Sequence, residues 1–131
     1  MRRHQHQRAK DDRGSLTLSY AIAVPLAFAA LMLIVQAAWY GLAWQAALAA
    51  ARHGADAARV LGATPGAASS AAVGFAAASA FGFLRDPHAT VSVSNQTVQV
   101  TVKGQVWPVL PGLVLPVSQT VQAPAEHFTT P

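Results

Sequence analysis

The sequence predicts an α+β chain: a long N-terminal transmembrane helix extended outside the membrane, a second helix, and a small antiparallel β-sheet. Three features carry this prediction. From Ser15 to Ala51 there is no Asp, Glu, Lys, Arg or His. Beyond that run, alanine-rich sequence suited to a helix continues towards Arg59. After Pro87 the period changes to alternation, with Val91, Val93, Val98, Val100 and Val102 separated by polar residues.

Composition agrees with a membrane setting. The chain is 53% hydrophobic and only 11% charged, whereas soluble domains carry about 25% charged residues. With 131 residues and much of them in one apolar segment, little chain is left for a core, and an enzyme of ordinary complexity is not expected. The net charge of +4 does not indicate a nucleic-acid partner, because most of it sits at the N-terminus. There Arg2, Arg3, Arg8, Lys10 and Arg13 face only Asp11 and Asp12, and the remainder is nearly neutral. The chain has no cysteine, which excludes disulfides, thiolate nucleophiles and zinc–thiolate sites.

Residues 1–14 form a basic leader, 15–39 the membrane helix, and 40–131 an extracytoplasmic α+β domain. A hydrocarbon core about 30 Å thick needs about 20 residues at 1.5 Å rise, so Leu16 to about Gln36 or Trp39 is long enough to span. Basic residues crowd its N-terminal side, and the first one beyond the run is Arg52. The positive-inside bias therefore puts the N-terminus in the cytoplasm. Trp39, Tyr40 and Trp44 fall one span length from Leu16, where amphipathic rings favour the headgroup region, and are the expected interface anchors. Pro25 should bend the helix without breaking it. Ala27, Ala29, Ala30, Ala37 and Ala38 would allow a neighbouring helix to approach closely, or they reflect the alanine bias of the whole chain.

The helix is expected to continue through Arg52, Asp56 and Arg59, with Asp56 one turn from both arginines, and to stop at Gly62. Thr64 can cap a second helix with Pro65 as its first residue. That helix is expected to reach about Leu84 with a stripe of Val73, Ala77, Ala80 and Leu84, Phe81 adjacent, packed on the first helix or on strands. A hairpin turns through Ser94, Asn95 and Gln96. A third extended segment covers Leu113–Leu115 and Val117–Val121, confined to an edge or broken by Pro108, Pro111 and Pro116. The tail from Ala123 is expected to fray.

No constellation of catalytic residues is visible. His4, His6, His53, His88 and His127 lack a carboxylate or cysteine at coordinating spacing, so no metal or cofactor is expected. Ser69, Ser70, Ser79, Ser92 and Ser94 lie outside any G-x-S-x-G context, and no acidic pair suits general acid–base work.

The order of parts resembles a pilin, and more specifically the TadE-like pseudopilins of tight-adherence (Flp-type) pilus systems in their alanine-rich actinobacterial form. Arg13, Gly14 and Ser15 match the leader junction, Pro25 lies inside the span and Gln36 near its end. The stretch Ala50-Ala51-Arg52-His53-Gly54-Ala55-Asp56-Ala57-Ala58-Arg59 resembles the family's AAR-x-GA-x-AAR pattern. Pro111-Gly112-Leu113-Val114-Leu115-Pro116-Val117-Ser118 resembles its proline-flanked terminal segment. The resemblance implies cleavage between Gly14 and Ser15 by a prepilin peptidase, with other pilin-like subunits and an inner-membrane assembly platform as partners. Pilin-like proteins usually carry Glu at the fifth position after the cut; here it is Ser19, a departure that favours a minor or assembly role over that of main filament subunit.

Other readings of the apolar segment stay open. An uncut signal anchor would have the same topology. A cleavable secretory signal could use a small-x-small site such as Ala47-Leu48-Ala49, although the apolar run exceeds the usual length of about 7–15 residues. The alternative function is a signal-anchored extracytoplasmic interaction domain unrelated to pili.

Overall fold

The computed structural model describes residues 8–60, 64–79, 81–94 and 96–125. Helix α1 (Arg8–Arg59) and helix α2 (Pro65–Ser79) precede strands β1 (Leu84–Ser94), β2 (Thr97–Val106) and β3 (Leu115–Pro124). The strands form one antiparallel sheet in the order β1-β2-β3. This α+β order, a long apolar N-terminal helix followed by a small antiparallel sheet, is a pilin-like arrangement. The chain divides into two compact units, one ending at Val35 and the other beginning at Gln36.

In the first unit α1 is continuous through Pro25. Leu18, Ile22, Leu26 and Phe28 are all more than 60% exposed, although in water such side chains would be driven into a core. The segment is long and apolar enough to cross a membrane, with none of its most apolar window buried. The helix as described runs from Arg8, so residues 8–14 of the leader continue it ahead of the apolar segment. Arg8, Ala9, Lys10 and Arg13 are good helix formers and continue the helix backwards beyond the apolar residues, across the less favourable Asp11, Asp12 and Gly14.

In the second unit the core joins an alanine face to a valine face. Ala43, Ala47, Ala50, Ala51 and Ala55 of α1 are buried, spaced three and four apart on one side of the helix. Val98, Val100, Val102, Val106 and Val117 supply the large buried side chains from the sheet. Helix α2 adds Ala68, Ala72 and Ala76. Small side chains on the helices let backbones approach closely, while β-branched valines fill the space from the pleated surface.

Helix α2 starts as expected: the Ala67 amide donates to Thr64 Oγ1 at 3.2 Å, and the Ala68 amide donates to the Thr64 carbonyl at 3.2 Å. Its end and its stripe differ from expectation. The helix stops at Ser79, its buried face is Ala68, Ala72 and Ala76, Val73 is only half-buried and Ala77 is exposed. Phe81 (φ 45°) and Gly82 (φ 82°) both take left-handed backbone, which ends the helix and frees Leu84 to be a buried strand residue, 5% exposed. Alanine periodicity cannot distinguish one face of such a helix from another, because every face is alanine.

Strand β1 likewise starts earlier than the alternation indicates. Between Arg85 and His88 the pairing with β2 shifts, and Asp86 has φ 47°, so Asp86 and Pro87 bulge opposite Gly104. A Cβ on Gly104 would stand 2.5 Å from Leu84 Cδ1 and 3.0 Å from the Arg85 carbonyl. Glycine there permits the close approach, and the bulge on an outer strand accommodates the proline. Strand β3 is an outer strand containing Pro116, as expected. The tail is more ordered than expected: Ala123 pairs with Val98 and is 8% exposed, and the Ala125 amide donates to Gln96 at 2.7 Å. Gly62, Ala80, Asn95, His4, His6 and His127 lie outside the described residues, as does the chain beyond Ala125.

Candidate functional site

Gln36 is the one polar side chain buried among the described residues, at 3% exposure. Its Oε1 accepts the Val109 amide at 2.7 Å, and its Nε2 donates to the Trp107 carbonyl at 3.5 Å. The carboxamide thus behaves as a short length of strand, offering one acceptor and one donor to the backbone that leaves β2. A group buried this deeply would be costly if unpaired, so the two bonds fix where the β2–β3 loop lies against α1.

Aromatic residues gather around this junction. Trp39, one turn after Gln36, meets Phe83 edge-to-face with ring centroids 5.4 Å apart. The Trp107 amide donates to the Phe83 carbonyl at 3.2 Å. The Arg85 guanidinium carbon lies 4.6 Å from the centre of the Trp107 ring, a cation–π geometry. Trp107 remains 48% exposed.

The residues singled out in the sequence are dispersed along the chain. Gly14 and Ser15 lie inside α1, and Ser19 Oγ donates back to the Ser15 carbonyl at 2.9 Å. Of the three aromatic anchors, Trp39 is half-buried against the domain, whereas Tyr40 and Trp44 are exposed at 38% and 41%. Gly54 has a packing role. A Cβ there would stand 2.8 Å from Ala72 Cβ, 3.1 Å from Val100 Cγ1 and 3.2 Å from the Ala68 carbonyl, so only glycine lets α1, α2 and β2 meet. Arg52 is exposed. Arg59 Nη1 lies 3.8 Å from Asp56 Oδ1 in an exposed pair, of the kind that contributes little.

Four of the remaining polar candidates have defined partners. His53 stacks on Phe75 with ring centroids 4.9 Å apart. Ser69 donates to the Ala89 carbonyl at 2.8 Å and Ser79 to the Phe75 carbonyl at 2.6 Å. His88 Nδ1 donates to the Asp86 carbonyl at 2.6 Å. His88 and Asp86 border an open groove of about 500 Å³ with Lys103 and Ser118. A second groove, about 300 Å³ and largely apolar, lies between Leu42, Ala46 and Ala49 of α1 and Phe75, Phe81 and Phe83. Among the described residues no group of three His, Cys, Asp or Glu side chains could hold a metal ion.

Sequence reasoning did not find the Gln36, Phe83, Arg85 and Trp107 cluster. Two signals were available: Gln36 is an amide within an otherwise apolar stretch, and no charged residue occurs from Gly104 to Ala125. Neither says that the two segments meet. The site is therefore a junction at which Gln36 ties α1 to the β2–β3 loop within a pilin-like arrangement. No protein-family model, curated protein or solved structure matches the chain.

Proposed function

We propose that the protein is a membrane-anchored, non-catalytic pseudopilin of the TadE-like kind, a minor or assembly subunit of a tight-adherence (Flp-type) pilus or related secretion apparatus. Its N-terminus is cytoplasmic and its C-terminal domain extracytoplasmic, and its partners are other pilin-like subunits and an inner-membrane platform, engaged through the helix. The observation that carries this reading is the double use of α1. The helix exposes apolar side chains over Leu16–Ile34 and then, from Ala43 to Ala55, becomes the spine of the domain core. Secretory cleavage after Ala49 would remove Gln36, Ala43 and Ala47 from that core, which argues against a signal peptide.

Ser19 favours the second reading, a signal-anchored interaction domain unrelated to pili. Its hydroxyl is satisfied within the helix and brings no carboxylate to offset a neighbouring subunit's terminal amine.

The test is the N-terminal sequence and intact mass of the mature protein from its native membrane. A chain starting at Ser15 is the expected result. An uncut N-terminus would favour the signal anchor, and a start beyond Ala49 would overturn both membrane readings.

A further inference from the structure

We propose that the β2–β3 loop, from Trp107 to Val114, is a membrane-contacting element that seats Trp107 and Val114 in the headgroup–acyl boundary of the leaflet where α1 leaves the bilayer. This inference rests on the reading of α1 as a membrane span. A hydrocarbon core about 30 Å thick takes about 20 helical residues. Counted from Leu16, its far boundary falls at Gln36, the residue that binds Trp107 and Val109. The loop is thus tied to the helix at the level of the boundary.

The direction of β2 agrees. Val100 lies beside Gly54, while Trp107, just past the end of β2, reaches Gln36. Strand β2 therefore runs against α1, and the β1–β2 hairpin is at the far end of the domain.

The chemistry of the loop suits that depth. From Trp107 to Leu115 it carries no charged residue, yet Trp107 and Val114 are 48% and 58% exposed. Indole rings favour the headgroup region, where the ring contacts acyl chains and the N–H finds a partner. Arg85 over the Trp107 ring sets a cation at the same level, suited to a lipid phosphate. Backbone groups near hydrocarbon need partners. Here Gln36 serves Trp107 and Val109, Leu113 donates to the Leu110 carbonyl at 3.2 Å, and Pro108 and Pro111 have no N–H to satisfy. Trp39 beside Phe83 completes an aromatic belt drawn from three separate parts of the chain.

The natural absence of cysteine permits a direct test with three single-cysteine versions of the full chain, Val114→Cys, Ser92→Cys and Phe28→Cys. Each is labelled with an environment-sensitive fluorophore and reconstituted in phosphatidylcholine–phosphatidylglycerol vesicles. The label at position 114 is expected to emit to the blue of that at 92 and to be quenched by shallow spin-labelled lipid about twofold more than by aqueous iodide. The label at 92 should show the reverse, and that at 28 should be quenched by deep spin-labelled lipid. A label at 114 that behaves like the one at 92, with 28 still lipid-quenched, overturns the loop proposal and leaves the span intact. Shielding of 114 from both quenchers means that protein covers the loop, and also overturns it. Absence of lipid quenching at 28 removes the span and the proposal together. An unlabelled check uses the Trp39→Phe, Trp44→Phe chain, whose remaining Trp107 must be quenched by brominated lipid and protected from acrylamide.

Discussion

Gln36 and Val109, separated by 73 positions, are joined by a 2.7 Å hydrogen bond in which the Val109 amide donates to the Gln36 side-chain oxygen. This bond and its companion to Trp107 make one amide side chain the link between α1 and the β2–β3 loop.

Gln36→Leu keeps the bulk but leaves the Val109 N–H and the Trp107 carbonyl without their partner. The expected cost is about 1–3 kcal/mol, read as a lower midpoint of thermal unfolding followed by near-ultraviolet circular dichroism in detergent. Hydrogen exchange at the Val109 amide should accelerate. Unchanged exchange there would mean that the bond is not formed in solution.

Two glycines in one helix should respond with opposite sign. At Gly54 an added methyl meets Ala72 Cβ at 2.8 Å, so Gly54→Ala is expected to destabilise by about 1–3 kcal/mol through overpacking, more than the gain in helix propensity of about 1 kcal/mol. At Gly41 the same methyl meets nothing within 4 Å, and Gly41→Ala should stabilise by up to about 1 kcal/mol. Chemical denaturation of both variants measures the contrast, and a rise in both midpoints would contradict the packing at Gly54.

Thr64→Ala removes the oxygen that accepts the Ala67 amide and should cost about 1 kcal/mol, whereas Thr64→Ser should retain most of the stability. Equal losses in urea unfolding would show that the methyl group, not the hydroxyl, matters.

Phe81 combines φ 45° with 87% exposure. A left-handed backbone costs a side-chain-bearing residue about 1–2 kcal/mol, so Phe81→Gly is expected to raise the unfolding midpoint. A fall instead would indicate that the ring, which lines the groove shared with Phe75 and Phe83, contributes more than the backbone term costs.

Several parts of the fold were legible because their causes are local. The cap at Thr64 and Pro65 depends on residues within one turn. The Val91 and Val93 alternation against Val98 and Val100 is a period-two pattern, and the structure pairs Val91 with Val100 and Val93 with Val98. Pro116 has no N–H to donate to a ladder, which limited β3 to an outer position. The end of α2 was not legible, because Ser79 is followed by further apolar residues and the stop comes from backbone angles at Phe81 and Gly82. The start of β1 was hidden by Pro87, which marks a break unless a bulge and Gly104 accommodate it.

The candidate site divides in the same way. The apolar stretch after Ser15 and the cluster of Trp39, Tyr40 and Trp44 are composition and spacing. That Trp39 turns to Phe83 while Tyr40 and Trp44 stay exposed depends on which side of α1 the sheet covers.

By itself the sequence determined the apolar character of the first helix, the change from helical to alternating period, and the positions where caps and prolines constrain the backbone, since each follows from hydrophobicity and short-range sterics. The tertiary structure alone decided which alanine face is buried, why Gly54 and Gly104 admit no side chain, and that Gln36 binds a loop more than seventy residues away. These depend on contacts between distant segments, and an alanine-rich chain offers many faces of nearly equal hydrophobicity among which only packing against the valine surface chooses.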